Sequence, residues 1–439
     1  MATRSHLPKN LLAGLSMEKR HTSSHLLETT ITINHVVTSL IRRQVIEIYR
    51  RYRKPAGLEN VEVPASFFEQ NKSSNIDETL KRFALRYIVF DHLINELRHQ
   101  KIHSSHHPRL THSRFSKDGG LSFTFTVSII ERFPVINWKL FPFKSPRRKL
   151  YKDLDKQVET FLDREQELFL QHKDHVTNDD WVEFEASILD PTEAPILSDL
   201  SSKYWLRFST RYVSDPFREK FAGKRAGDTF VAAKLPLVDG LSEALSEHGK
   251  FKVKILSVSK GRHFSVDLFK STFKLKTKSD IHKKLIEVFS FRNDISQRKS
   301  IVEEVFNLFL SQHRFEIPKH LVLRKQEDLI KSIRRLPDYH VYKAHKRFDK
   351  HVGTLAEKQL KEEAIMDTIA YHEGINIDSN DIRGYLHLFN HSRLREFVYF
   401  KPALEHFDEL DVPLPENTIK QAVLREKTLN HIISVITQT

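Results

Sequence analysis

Phe315-Glu-Ile-Pro318 and His372-Glu-Gly-Ile-Asn-Ile-Asp378 are the two stretches on which the reading of this chain turns. Each closes a run with apolar residues at three- and four-residue steps, leaves it through a brief extended exit, and precedes a new helix start. Helix, exit and helix in tandem is how protruding helical arms are built. Such arms suit holding a partner better than performing bond chemistry.

Outward from these stretches, everything beyond Lys278 reads as helix. Ile281 to His313 carries Leu285, Val288, Phe289, Ile301, Val305, Leu308 and Phe309, and Lys319–Arg335, Ala344–Glu373 and Pro415–Ile436 add further helices punctuated by Pro318, Pro337 and Gly374. From Asp179 to Val258 the period changes to two. Trp181-Val-Glu-Phe-Glu-Ala-Ser-Ile, Tyr204-Trp-Leu-Arg-Phe, Thr229-Phe-Val-Ala-Ala and Lys250-Phe-Lys-Val-Lys-Ile-Leu predict strands of a compact antiparallel sheet, with Asp215–Phe221 a short helix against it. Arg147 to His175 reads as a charged helix bracing its neighbours. Toward the N-terminus the order is strand (Thr29–Asn34), helix (Val37–Tyr49), helix (Ile76–His99), a Ser- and His-rich connector and strand (Leu121–Ile129), ending near Trp138–Phe143. Met1 to Ser24 reads as a mobile tail.

Composition bounds the chemistry. The chain has 439 residues and no cysteine, which excludes disulfides, thiol catalysis and thiolate metal sites and is compatible with a reducing cytosol. A formal net charge of +14 attracts an anionic partner such as RNA at long range. No run approaches the roughly 18 apolar residues of a membrane span, and Leu11–Leu15 is too short for a signal-peptide core. There is no Walker-type loop, no Gly-x-Ser-x-Gly elbow and no His-Glu-x-x-His helix. His103, His106, His107 and His112 could converge on a metal ion, yet they fit an exposed polar connector better and are not assigned as ligands. Glu183 and Glu185 share a strand face, which an exposed edge explains without acid/base work.

The order of elements, with the two exits, resembles trigger factor, the bacterial ribosome-associated chaperone family with an FKBP-type prolyl isomerase domain. Val302–Pro318 and Ala364–Ile382 look like the family's arm helices and their exits; Asp180-Trp-Val-Glu-Phe and Phe221-Ala-Gly-Lys-Arg-Ala-Gly-Asp-Thr-Phe look like the isomerase domain's first strand and turn; Arg132-Phe-Pro-Val looks like the end of the N-terminal domain. The fold class the resemblance implies is multidomain α+β: a tail (1–24), an N-terminal ribosome-binding-like domain (25–146), a helical linker (147–177), a small antiparallel-β FKBP-like domain (178–260) and a helical C-terminal chaperone domain with arms (261–439).

Two departures from the family pattern bear on function. The ribosome-docking loop falls on Gly57-Leu-Glu-Asn-Val-Glu-Val-Pro64, where Gly57 and Pro64 match but Leu58 replaces an aromatic and Glu59 and Glu62 replace cations. A carboxylate facing RNA phosphate reverses the sign of the contact, so either docking to the large ribosomal subunit rests on upstream cations such as Arg50, Arg51, Arg53 and Lys54 or the protein does not dock in the family's manner. Prolyl isomerisation needs an apolar cup that desolvates the amide and lowers a barrier of about 18–20 kcal/mol. By resemblance Val213 and Phe217 occupy cup positions, Phe184 is the nearest aromatic on the first strand, and the family's later Tyr has no counterpart. No catalytic residue is therefore assigned.

The function the resemblance implies is an ATP-independent cytoplasmic chaperone, without cofactor or metal, whose partners are unfolded or nascent polypeptides and the ribosome, with no membrane. Client contacts are expected from Phe306, Phe309, Phe315, Leu321, Leu323, Ile369 and Tyr371. Two other readings stand beside it: a working prolyl isomerase, and a basic RNA- or ribosome-associated protein using Arg147-Arg-Lys and Lys252–Lys260.

Overall fold

The structure, a computed structural model, describes residues 9–23, 25–52, 74–100, 102, 108–130, 133–135, 137–146, 153–170, 175–189, 193–195, 201–208, 215–233, 235, 237, 250–261, 264–292, 295–402 and 413–437. One helical turn, α1 (Lys9–Leu12), leads into strand β1 (Leu15–Ser23), which lies antiparallel to β2 (Leu26–Ile33) with Leu15 opposite Ile33. Where the sequence predicts a mobile tail over 1–24, there is thus an edge strand. Its side chains are almost all exposed, so it carries no alternating apolar signal, and pairing to β2 holds it through the backbone.

Along β2 burial alternates residue by residue, with Leu27, Thr29, Ile31 and Ile33 turned inward. Asn34 caps the next helix, α2 (His35–Tyr52), its Oδ1 accepting from the Val37 amide at 3.0 Å. Helix α3 (Ser74–Ala84) passes through a π-helical turn (Leu85–Val89) into α4 (Phe90–His99). Strands β3 (Arg109–Phe115) and β4 (Leu121–Ser128) form a hairpin and complete a sheet of order β1-β2-β4-β3. Its inner face, including Ile31, Phe123 and Phe125, packs on Ile41 of α2, Leu80 and Phe83 of α3 and Leu93 of α4. The sequence shows β3 only as a polar connector, because Arg109, Thr111, His112 and Arg114 on it are all exposed.

The chain continues through α5 (Leu154–Leu170), β5 (Asp180–Leu189), β6 (Ser202–Phe208), α6 (Asp215–Phe221), β7 (Thr229–Ala233) and β8 (Lys250–Ser259). Then come α7 (Val266–Phe273), α8 (Lys278–Phe289), a minimal hairpin of β9 (Phe291–Arg292) and β10 (Ile295–Ser296), and α9 (Gln297–Gln312). The single helix read over Ile281–His313 is therefore two. Ser296 caps α9 by accepting from the Lys299 amide at 3.2 Å, a local bond that competes with helix continuation. Helices α10 (Lys319–Ile333), α11 (Tyr339–Lys343), α12 (Phe348–His372) and α13 (Ser379–Asn390) follow, then β11 (Leu414–Pro415) and α14 (Glu416–Ile436). Gly374, at φ +64°, ends α12 in the left-handed conformation.

The second sheet has the order β11-β6-β5-β8-β7, all antiparallel, and its first strand comes from the far end of the sequence: Leu414 pairs with Trp205. Strand β5 is buried on both faces. Val182 and Phe184 meet Phe217 and Phe221 of α6 on one side, whereas Trp181 and Trp205 enter the apolar cluster of Phe269, Leu285, Leu386 and Leu414 on the other. The border expected between residues 260 and 261 is crossed by close contacts. The Gly261 amide donates to Asp180 Oδ1 at 3.4 Å, Asn390 Nδ2 donates to the Asp179 carbonyl at 3.2 Å, and a Cβ on Gly261 would lie 1.6 Å from that carbonyl oxygen. The sheet is built into the helical body.

The N-terminal unit is tied to the same body. Asn417 Nδ2 donates to Asp91 Oδ1 at 2.6 Å, and Arg98 donates to Gln421 Oε1 at 3.3 Å. Residues 133–135 and 137–146 form an aromatic strap across α9 and α14: Phe133 stacks on Phe315 at 4.1 Å, and Trp138 and Phe141 lie 6.4 and 5.3 Å from Phe309.

Candidate functional site

Helices α10 and α12 pair antiparallel into an arm, with Gln326 Nε2 donating to the Asp349 carbonyl at 3.1 Å and Lys325 Nζ meeting Glu363 Oε1 at 2.8 Å. At its base Leu321, Leu360 and Ala364 pack with Ile130 and Ile317. Farther out the apolar residues thin to half-buried Leu329, Ile330 and Ile333 on α10 and buried Val352 and Ala356 on α12. Two helices cannot enclose a core of their own, so most of the arm's surface faces solvent. Apolar side chains remain on it singly: Leu323 is 59% exposed, Leu355 41%, and at the tip Leu336 is 50% and Val341 72% exposed.

The seven residues from which client contacts are expected divide sharply. Phe306, Phe309, Leu321 and Ile369 are buried, the first, second and fourth in the cluster that the strap covers. Phe315 is half-buried beneath Phe133, and Tyr371 is half-buried, with burial and then Asp367 pushing its phenol up to about 12. Leu323 alone of the seven is openly exposed. Leu336, Val341 and Leu355 were not legible as surface residues, since periodicity marks apolar positions without saying which face finds a partner.

The cup candidates lie elsewhere. Phe184 and Phe217 are wholly buried and both face Phe221, whose ring lies 5.0 Å from Phe184 and 5.6 Å from Phe217. Each fills the core between β5 and α6. Val213 lies outside the described residues, as do Arg53, Lys54, Gly57, Leu58, Glu59, Glu62 and Pro64 of the docking loop, while Arg51 is in the last turn of α2. His103, His106 and His107 are likewise outside them; His112 is exposed on β3, and no group of three potential metal ligands occurs among the described residues. No helix among the described residues is long and apolar enough to cross a membrane.

Behind the arm the body is held by largely buried ion pairs. Arg425 on α14 reaches Asp367 and Glu363 on α12, each at 2.8 Å. Fully buried Arg298 meets Glu426 Oε1 at 3.5 Å and Asn430 Oδ1 at 2.6 Å, while Glu426 Oε2 accepts from the Tyr399 and Phe400 amides at 2.8 and 3.1 Å. Glu362 accepts from the Tyr399 hydroxyl at 2.8 Å, and burial lifts its carboxyl to about 7, against the hydrogen bond and nearby Lys358. His387, whose Nε2 accepts from the Ser265 amide at 3.0 Å, is pushed down to about 3 by burial and by His391. These groups orient helices.

No protein-family model matches the chain, and no curated protein does. Among solved structures it shows a distant likeness to one described as "Promiscuous Substrate Recognition in Folding and Assembly Activities of the Trigger Factor Chaperone", at 14% identity over 96% of this chain and 100% of that one, with a TM-score of 0.36. At that distance no residue's role passes from one chain to the other.

Proposed function

We propose that this protein is an ATP-independent chaperone that holds unfolded polypeptides on its α10/α12 arm. The observation carrying the reading is the arm itself: a solvent-exposed helix pair on which apolar side chains stand singly, at Leu323, Leu336, Val341 and Leu355, among charged neighbours. Isolated apolar contacts of this kind each contribute little, so a client is held by several exchanging contacts and can leave to fold. A contiguous patch would bind more tightly and would also drive self-association. The rest of the body supplies the rigid base, through the Arg425 and Arg298 networks.

Holding of this kind needs neither ribosome docking nor isomerase chemistry. Phe184 and Phe217, buried against Phe221, support a structural role for the second sheet. The test is light scattering of guanidinium-denatured luciferase diluted into buffer without ATP. Near-stoichiometric full-length protein is expected to suppress the scattering; scattering unchanged at several-fold excess would remove the proposal.

A further inference from the structure

The arm's tip differs from its shaft. Between Arg334 and Lys350 the cations Arg334, Arg335, Lys343, Lys346, Arg347 and Lys350 stand against only Asp338 and Asp349. All eight are exposed, and Arg334, Lys343, Lys346, Arg347 and Lys350 form no ion pair among the described residues. Rings are interleaved with this charge. Tyr342 is 49% exposed, Tyr339 lies 5.5 Å from His340 and 6.5 Å from Phe348, Lys343 Nζ stands 5.7 Å from the Tyr339 ring centre, and the His345 and His351 rings are 5.4 Å apart. Elsewhere on the body comparable cations are spent internally, as at Arg298 and Arg425.

Cations kept unpaired beside exposed planar rings match what a single-stranded nucleic acid offers, phosphates along one edge and unstacked bases along the other. We infer that the arm tip, residues 334–350, is a binding surface for single-stranded RNA. A membrane surface fits it less well. Lipid anchorage calls for an amphipathic helix with a broad Leu, Phe or Trp face, whereas α11 has 5 residues and the exposed rings there are Tyr and His. The surface shares Leu336 and Val341 with the client-holding arm but leaves Leu323 and Leu355 on the shaft outside it, and its cations and rings are not the groups on which client holding rests, so RNA binding is tested apart from holding. Recognition is by backbone charge and stacking, without base-edge reading, so weak sequence preference and strong salt dependence follow.

The test is fluorescence anisotropy of a labelled oligouridylate with the full chain over a potassium chloride series. Three variants are compared: Arg334→Gln with Arg347→Gln, Tyr342→Ala, and Lys252→Gln with Lys254→Gln, a matched charge change on the exposed face of β8. The tip pair is expected to weaken binding about tenfold and to flatten the logarithmic salt slope by roughly 1.4, at about 0.7 per lost phosphate contact on a single strand. Tyr342→Ala is expected to weaken binding about fivefold or more while leaving the slope unchanged. Full retention of binding by the tip pair, or an equal loss in the β8 pair, overturns the assignment. So does tip-dependent sedimentation with phosphatidylserine vesicles in the absence of RNA binding, which makes the surface a lipid site. Circular dichroism confirms that each variant keeps its helix content.

Discussion

The arm and the body behind it use the same side-chain types to opposite ends. On α14 and α9, Arg298 and Glu426 are buried and Arg425 is largely so, and each is matched by a fixed partner; at the tip of α10–α12, Arg334, Lys346 and Arg347 are exposed and form no ion pair among the described residues. Burying a charge is tolerated only when a partner and hydrogen bonds replace the lost water, so the body's charges specify one arrangement. Charges left in water specify nothing inside the protein. They remain available to something outside it, and the single exposed apolar residues of the shaft follow the same division.

The hardest way to break this comparison is to leave a body charge without its partner. Arg298→Met leaves Glu426 buried among helices with only the two amide donors of Tyr399 and Phe400, and is expected to cost about 3–5 kcal/mol in urea unfolding. A loss under about 1 kcal/mol would mean that the body's network is no more committed than the tip's charges. Next comes a pair two residues apart on α10. Leu321→Ala removes a fully buried side chain from the arm's base and should cost about 2–5 kcal/mol, whereas Leu323→Ser, at a side chain 59% exposed, should change stability by no more than about 0.5 kcal/mol. Equal losses at the two would erase the distinction between base and shaft.

Glu362 sharpens the comparison through pH. Its carboxyl titrates near 7 in the folded protein because burial disfavours the charge, against an ordinary value of 4.5. The folded state therefore holds the proton more tightly than the unfolded state between those values, and this group's contribution to stability falls as pH rises from about 4.5 to 7. Glu362→Gln keeps an acceptor for the Tyr399 hydroxyl and cannot ionise. It should leave stability near pH 4.5 little changed and raise it at pH 8 by up to about 3 kcal/mol, the limit set by the size of the shift. Indistinguishable pH profiles for the two proteins would show that the carboxylate is solvated after all. A smaller loss than at the buried sites is expected at Gly374, where alanine in the left-handed conformation should cost about 1 kcal/mol, seen as fraying at the end of α12.

How much of this was legible beforehand followed from where partners lie in sequence. The amphipathic helices α10, α12 and α14 and the alternating strands β2, β4, β5 and β8 were readable because their partners bury one regular face. Edge strands β1 and β3 were not, since backbone pairing holds them while their side chains stay in water. Nor could local pattern show that Leu414, more than two hundred residues from Trp205, would close the second sheet. The candidate site suffered from the same limit. Phe306, Phe309 and Ile369 have the composition of a client surface, but all three are buried in one cluster, where Trp138 and Phe141 of the strap lie against Phe309 and Tyr399 and Phe400 against Phe306, and only these long-range contacts reveal it.

The central claim is that the exposed shaft of the arm holds clients, and the most direct test changes only Leu323 and Leu355. Full-length protein carrying Leu323→Ser and Leu355→Ser is compared with the unaltered chain in suppressing aggregation of denatured luciferase, with urea unfolding as the control for folding. The account predicts unchanged stability and holding weakened on the order of tenfold, the equivalent of about 1.4 kcal/mol of lost apolar contact. Undiminished suppression by the doubly substituted protein would contradict it and move client binding off the arm's shaft.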